Sequence, residues 1–190
     1  NPDSGEVETI SNTSLVIEDG FIVENGSGEF IDCTDCLVTP GFVDPHTHPV
    51  FLDLRVDEVA MRKAGATYEE IAAMGGGINS SINGVRNASV DELIERVSKR
   101  MDQFLKLGTT TVECKSGYGL NTEAELNSLK VIHEVNKIHE MDMIPTFLGA
   151  HAFPPEFAHD HDGYVDLLCN EMIPAVAKQG IAVFCDVFCE

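Results

Sequence analysis

From Leu37 to its last residue, this 190-residue chain alternates short apolar segments with longer amphipathic ones. The apolar segments have the length of strands and lie at residues 37–48, 109–114, 143–149 and 181–188. The amphipathic segments have apolar residues at helical spacing and lie at residues 91–107, 122–141 and 164–179. Strands that alternate with helices pair in parallel through right-handed crossovers, so the pattern predicts an α/β protein built on a parallel sheet or barrel.

Local signals add detail to this pattern. Ser89 is a favourable N-cap for the first long helix, and Gly108 and Gly180 are typical residues for ending a helix. Residues 13–32 combine short β-rich runs with turn signals, which predicts a small antiparallel meander before the alternating region.

Four strands are too few to close a barrel of eight. The chain stops at Glu190, at the end of a predicted strand with no helix to cover it, and it does not begin with Met. We therefore expect a fragment of a longer protein, truncated at both ends, whose open sheet edges leave it poorly stable alone. A naturally small doubly wound domain is the alternative.

The composition limits the partners of the chain. With 32 acidic and 12 basic residues, its formal net charge is -20, which argues against nucleic acid or an anionic membrane as a partner. No run of about 18 apolar residues occurs, and the polar opening does not resemble a signal peptide, so we expect a soluble cytoplasmic protein. Cys33 and Cys36 have metal-site spacing without a second pair, and ordinary reduced thiols are expected for all six cysteines.

Two histidines, His46 and His48, end the first apolar strand. Side chains at positions i and i+2 of a strand point to the same face, so the two imidazoles can be presented to one metal ion. Two histidines separated by one residue also occur frequently by chance. However, Asp44-Pro45 favours an extended backbone before them, and the carboxyl ends of barrel strands carry catalytic residues.

Reactive side chains also follow the later strands. Glycines flank Tyr118 after the second strand, which leaves its hydroxyl free to bind a ligand, although a plain turn with a packing tyrosine is equally compatible. His151 follows the third strand between small neighbours, where the alternative is a structural histidine. Residues 159–162 contain two further histidines in what we interpret as a solvated loop.

The connection after the first strand is long and contains Arg55, Tyr68 and three glycines at positions 75–77. Connections of that length without regular structure are usually binding loops or lids, and here only residues 67–74 have a helical pattern. The glycine triplet lacks the spacing of a phosphate-binding loop, so no nucleotide is expected.

Together these segments resemble the imidazolonepropionases, a family of histidine-degrading enzymes in the amidohydrolase superfamily. The similar stretches are residues 39–48, 61–68, 75–78, 112–120, 145–152 and 186–190. The His-Thr-His element indicates only the superfamily, whereas Lys-Ser-Gly-Tyr-Gly-Leu together with Phe-Leu-Gly-Ala-His is much more specific.

The resemblance implies the N-terminal half of a (β/α)8 barrel at residues 39–190, preceded by part of a small β-sandwich domain at residues 1–38. It implies hydrolysis of the ring amide C–N bond of 4-imidazolone-5-propanoate to N-formimidoyl-L-glutamate by a metal-activated water. A divalent metal lowers the pKa of such a water to about 7.

The resemblance also implies a set of site residues. One zinc or iron ion would be held by His46 and His48, together with a histidine and an aspartate beyond Glu190. The implied substrate contacts are Arg55, Tyr68, Tyr118 and His151. Arg55 suits the propanoate carboxylate, and we hypothesise that His151 acts in catalysis by stabilising negative charge on the carbonyl oxygen. A glutamate that assists proton transfer is expected in the missing half.

Two alternatives stay open. The protein could be a related cyclic amidohydrolase or a deaminase of purines or pyrimidines, although residues 115–120 argue against a deaminase. The chain alone could instead be a non-catalytic fragment or an assembly module, because two histidines bind zinc too weakly to sustain catalysis. A homodimer is a further open question. Leu52-Asp53-Leu54 replaces the family's small, glycine-rich residues, while the spacing to Arg55 is kept.

Overall fold

The computed structural model describes Gly5 and residues 7–189, without the side chains of Tyr68, Ala72 and Ala73. Glu190, which ends the last of the stretches quoted above, lies outside the described residues. The chain divides into two compact units, one up to Thr39 and one from Pro40 onward.

The first unit contains an antiparallel hairpin of strands β1 (Val16–Glu18) and β2 (Phe21–Val23). Asp19 and Gly20 form its turn with φ of 51° and 81°, the left-handed backbone that a two-residue hairpin turn requires. Antiparallel pairing within residues 13–32 is thus confirmed. These are the two strands found in the described part of this unit, and the β-sandwich stays a prediction.

The second unit is built on a parallel four-stranded sheet, which confirms the predicted α/β class. Its strands are β3 (Phe42–Thr47), β4 (Thr109–Lys115), β5 (Asp142–Ala150) and β6 (Phe184–Val187). They lie side by side in chain order, β3-β4-β5-β6. Right-handed crossovers between neighbours in chain order put the connecting helices on one face of the sheet.

Seven α-helices connect these strands. They are α1 (Val56–Lys63), α2 (Tyr68–Ala73), α3 (Ile78–Asn87), α4 (Val90–Lys106), α5 (Thr122–Ile138), α6 (His161–Leu167) and α7 (Ile173–Gln179). The Ser89 hydroxyl accepts a hydrogen bond from the Glu92 amide, which confirms the predicted N-cap of α4. Gly108 and Gly180 follow α4 and α7 with φ of 90° and 69°, as expected for residues that end helices.

The core lies between the sheet and its helices. Val112 and Cys114 of β4 are fully buried against Val97 and Met101 of α4 and Ile132 of α5. A second cluster gathers Leu129 of α5, Phe147 of β5 and the segment around Tyr164 and Leu168. The intervening residues of β4 project from the opposite face of the sheet, because successive side chains of a strand alternate.

Two predicted helix boundaries and one predicted connection were wrong in detail. The segment between β3 and α4 holds helices α1 to α3, where residues 67–74 had been expected to be helical. Helix α5 ends at Ile138 rather than residue 141, since the His139 ring accepts a hydrogen bond from the Met141 amide and turns the chain. The third long helix begins at His161, because the Asp160 carboxylate caps it through the Gly163 amide. A π-helical turn at Leu168–Met172 then joins α6 to α7.

The two outer strands of the sheet leave apolar side chains uncovered. Val43 on β3 is 65% exposed, and Phe184 and Val187 on β6 are 59% and 58% exposed. Among the described residues, none of the helices is both long and apolar enough to cross a bilayer.

Candidate active site

Four side chains predicted separately from the sequence come together where β3, β4 and β5 end. The His48 ring stacks on the His151 ring with centroids 4.6 Å apart, and the Tyr118 ring lies 5.2 Å from His48 and 5.4 Å from His151. His46, in β3, meets the cluster through His48, with ring centroids 5.5 Å apart. His46 is exposed, while the other three are half-buried. The carboxyl ends of parallel strands share one edge of the sheet, which explains this convergence.

Backbone carbonyls orient two of the imidazoles. The Nδ1 atom of His48 lies 3.1 Å from the Ser116 carbonyl oxygen, and Nδ1 of His151 lies 2.8 Å from the Gly117 carbonyl oxygen. A carbonyl oxygen only accepts hydrogen bonds, so both Nδ1 atoms carry the proton. Each neutral ring is thereby left with a lone pair on Nε2, the atom available to a metal or a substrate.

Burial keeps His48 in its neutral form. Removal from water lowers the pKa of this imidazole from 6.5 to about 4, and the neighbouring His151 adds to the effect. The hydrogen bond to the Ser116 carbonyl opposes the shift without cancelling it. Since only the neutral imidazole binds a metal, His48 is in its binding form at neutral pH.

Tyr118 keeps its proton for a similar reason. Burial raises the pKa of its hydroxyl, and the positive charge of Arg55 opposes that rise. The phenol is therefore a hydrogen-bond donor at neutral pH.

Arg55 lies in the segment between β3 and α1. Its Nε is 3.7 Å from a carboxylate oxygen of Glu58, whose other oxygen accepts a 2.7 Å hydrogen bond from the Gly77 amide. Arg55 also lines a surface cleft of about 260 Å³ together with Gly75 and Gly76. Sequence analysis placed Arg55 and these glycines in the same long connection, and the structure brings them to one cleft. Tyr68 begins α2, and its side chain lies outside the described residues.

Arg100 fixes the path of the chain that leads to Arg55. It donates hydrogen bonds to the carbonyl oxygens of Pro49 and Leu52 at 2.9 and 3.0 Å, and its guanidinium lies 3.4 Å from the centroid of the Phe51 ring. Burial lowers its pKa to about 10, so it is still a cation at neutral pH. The segment with the unusual Leu52-Asp53-Leu54 sequence is thus anchored at its first residue. Sequence reasoning assigned Arg100 no role, since its partners are distant in the chain.

Sequence reasoning also missed a cluster of ion pairs around the buried Lys115, on the face of the sheet opposite the helices. Lys115 Nζ donates to Glu113 at 2.8 Å and to Asp186 at 2.7 Å, and only 6% of Lys115 is exposed. Two buried oxygens beside it, Glu113 Oε2 and Thr146 Oγ1, have no hydrogen-bond partner in the described part of the chain. The alternation Val-Glu-Cys-Lys at the end of β4 was the available signal, because it puts two charges on one face of a central strand.

The described side chains provide some, but not all, of the donor atoms that a metal ion needs. Within Gly5 and residues 7–189, no three His, Cys, Asp or Glu side chains are grouped so that they could hold a metal ion. His46 and His48 are adjacent, and His48 offers an unprotonated Nε2. The described residues thus fit two ligands of a metal site.

Fold and site together define an α/β protein with a cluster of histidines at the carboxyl ends of parallel strands, where enzymes of this class carry their active sites. No family model matches the chain. It is 47% identical over 195 residues to an imidazolonepropionase of Thermoanaerobacter pseudethanolicus, covering 99% of this chain and 47% of that protein. An imidazolonepropionase of Syntrophobacter fumaroxidans is 53% identical over 162 residues, covering 85% of this chain and 38% of the relative. The corresponding protein of Geobacillus kaustophilus is 47% identical over 195 residues, with 95% and 46% covered.

The resemblance to the imidazolonepropionase family is thereby confirmed over nearly the whole chain. The chain spans about half the length of the curated relatives it matches.

The low pKa of His48 predicts acid sensitivity of the metal-free protein. The pKa in the folded state lies below that of the unfolded state, so the unfolded state binds more protons between pH 6.5 and about 4. The free energy of unfolding should therefore fall by about 2 kcal/mol as the pH is lowered through this window, less than the full shift would give because solvent still reaches the ring.

Urea unfolding at a series of pH values, after removal of metal with EDTA, measures this effect. The variant His48→Asn keeps a donor for the Ser116 carbonyl but does not titrate. Its free energy of unfolding should therefore fall by about 2 kcal/mol less than that of the unsubstituted protein between pH 6.5 and 4. His159→Asn, in an exposed loop, controls for the loss of a histidine as such. Equal slopes in His48→Asn and the unsubstituted protein would contradict the assignment.

Proposed function

We propose that the full-length protein hydrolyses the ring amide C–N bond of 4-imidazolone-5-propanoate, giving N-formimidoyl-L-glutamate in the degradation of histidine. The observation that carries this proposal is the contact of His48 with both Tyr118 and His151. These residues come from the stretches that resemble the imidazolonepropionases, and the chain matches proteins of that name along nearly its entire length.

We further propose that residues 39–190 are the first half of a (β/α)8 barrel, with residues 1–38 as part of a small β-sandwich. In support, the strand order follows the chain order, whereas a doubly wound sheet reverses direction at a switch point. The uncovered apolar side chains of β3 and β6 are at the two edges where further strands would pair. A barrel would also enclose the ion pairs of Lys115.

In this proposal His46 and His48 supply two ligands to one zinc or iron ion, and the remaining polypeptide supplies a histidine and an aspartate. Imidazole and carboxylate ligands suit either metal. When bound, the metal acts as a Lewis acid and activates water for attack on the ring carbonyl. The contribution of the chain is to hold His48 neutral and to aim its Nε2 by fixing Nδ1 on the Ser116 carbonyl.

The other side chains bind and orient the substrate. Arg55 can pair bidentately with the propanoate carboxylate, which a protein of net charge -20 would otherwise repel. Tyr118 is a protonated donor beside the ring cluster. The Nδ1 atom of His151 is bound to the Gly117 carbonyl, so its Nε2 atom faces the substrate in either of two roles. When the imidazole is neutral, Nε2 can accept a hydrogen bond from an N–H of the substrate ring. When it is protonated, Nε2 can donate to the negative charge that develops on the substrate carbonyl oxygen.

The predicted cytoplasmic location, the small-molecule substrate as partner and a homodimer are parts of the same proposal. The strong negative charge supports an exterior that avoids nucleic acid and anionic membranes.

Substrate turnover by the full-length protein tests the function directly. We expect loss of imidazolone absorbance and formation of formimidoylglutamate, detected by mass spectrometry. His48→Ala should lower the rate by about 1000-fold or more, because the contribution of a metal to catalysis is several kcal/mol. Deamination of a purine or pyrimidine, with the imidazolone left intact, would favour the deaminase alternative and refute the proposal.

His151→Ala in the full-length protein separates the two roles of this histidine. Stabilisation of charge in the transition state predicts that kcat falls by about 100-fold or more with KM nearly unchanged. A purely ground-state contact with the substrate predicts a higher KM at unchanged kcat, and that result would remove His151 from the catalytic step.

The 190-residue chain by itself should be inactive. It holds two of the four proposed ligands, so we expect no turnover of imidazolone propanoate and clearly less than one metal ion per chain by elemental analysis after dialysis. The full-length protein, prepared in the same way, should retain about one ion per chain. Measurable ring opening by the short chain would show that the missing half is dispensable.

A further inference from the structure

Glu125, at the start of α5, is a fully buried carboxylate surrounded by backbone amides. Its side chain is 0% exposed. Oε1 accepts hydrogen bonds from the Gly119 and Leu120 amides at 2.8 and 2.9 Å, and the Gly117 amide donates to both oxygens, to Oε2 at 3.0 Å and to Oε1 at 3.2 Å. A carboxylate that receives hydrogen bonds from three amides is held by strong, charge-assisted interactions in a low dielectric.

These amides belong to one segment, residues 116–120, which links all three half-buried rings of the site. The Ser116 carbonyl holds the His48 ring, and the Gly117 carbonyl holds the His151 ring. Tyr118 lies between two of the amides that Glu125 binds. Glu125 itself contacts none of the rings, so its influence on them passes through this segment.

The conformation of residues 116–120 is unfavourable in isolation. Leu120 is a buried non-glycine residue with φ of 52°, and Gly117 has φ of 103° with no room for a Cβ, which would meet the Leu148 carbonyl oxygen at 2.7 Å. Such a backbone persists only where its surroundings hold it. Glu125 binds its amides from one side, and Arg86 binds the Gly119 and Leu120 carbonyls from the other, at 2.6 and 3.0 Å.

We propose that Glu125 is a positioning residue of the active site, which fixes the segment 116–120 and thereby the orientation of His48, Tyr118 and His151. This inference deepens the proposed function and rests on it. The carboxylate binds backbone amides of the segment, and the segment in turn provides the carbonyls that bind His48 and His151 and the ring of Tyr118.

Glu125→Gln in the full-length, metal-loaded protein tests the inference. The amide keeps an oxygen for Gly119 and Leu120 but turns an NH2 group toward the Gly117 N–H, so Gly117 loses its shorter hydrogen bond and keeps only the 3.2 Å contact with the retained oxygen. Hydrogen exchange of the Gly117 amide should accelerate by about tenfold or more, since two charged acceptor oxygens are replaced by one neutral oxygen at the longer distance. Because the segment carries the partners of the site histidines, kcat/KM should fall by about 10- to 100-fold.

Ser128→Ala is the matched control. Ser128 lies one turn further along α5, is equally buried, and donates to the Ala124 carbonyl without touching the segment. It should leave kcat/KM and the exchange of Gly117 unchanged. In a Tyr118→Phe background the effect of Glu125→Gln on KM should shrink, because two residues that act through one contact are not additive.

Three further outcomes decide whether Glu125 is a positioning residue. A folded Glu125→Gln protein with unchanged Gly117 exchange, or with kcat/KM within about twofold of the unsubstituted protein, overturns the proposal. Glu125→Asp keeps the charge and is the second variant should Glu125→Gln not fold; unfolding of both while Ser128→Ala folds would assign Glu125 to the fold alone and overturn the proposal too. If the unsubstituted protein does not turn over the imidazolone, the proposed function fails, and the exchange measurement still decides whether Glu125 orders the segment.

Discussion

The site depends on the parallel pairing of three neighbouring strands. Thr47 pairs with Cys114 and Lys115 with Thr146, so β3, β4 and β5 end at the same edge of the sheet. A hydrogen bond from the Thr47 hydroxyl to the Glu113 carbonyl fixes the first of these ends. A slip of one residue would turn the side chains of a strand to the other face, so the register decides which groups meet.

Burial has opposite consequences for the charged and neutral groups around this edge. His48 and Tyr118 lose contact with water and stay uncharged, as a metal ligand and a hydrogen-bond donor need to be. Lys115 is buried as a cation, and its ion pairs with Glu113 and Asp186 raise its pKa against the effect of burial. Replacing such a cluster by apolar residues often costs little stability, so its presence favours a role in specifying the inner face of the sheet.

Residues 116–120, between β4 and α5, are held in place by residues that lie far apart in the chain. Arg86 of α3, Glu125 of α5 and the amide of Leu148 in β5 all bind residues 116–120, the last through the Ser116 hydroxyl. Together they convert a glycine-rich stretch, which would sample many conformations alone, into a rigid support for two imidazoles. Catalytic groups need this kind of support because small displacements are costly in rate.

The sequence by itself determined the α/β class, the antiparallel hairpin, the caps at Ser89 and Gly108, and the candidate residues at the strand ends, because each depends on local periodicity or a local backbone preference. It also determined the resemblance to imidazolonepropionases through contiguous motifs. Only the tertiary structure decided which of these residues touch, that α1 to α3 fill the long connection, and that Glu125 binds the amides of residues 116–120. Leu129 and Ile132 share the buried stripe of α5 with Glu125, so a carboxylate on that stripe was the one available signal. The hydrogen-bond partners of Glu125 are backbone amides, which nearly every residue has, so the sequence does not indicate which amides it binds.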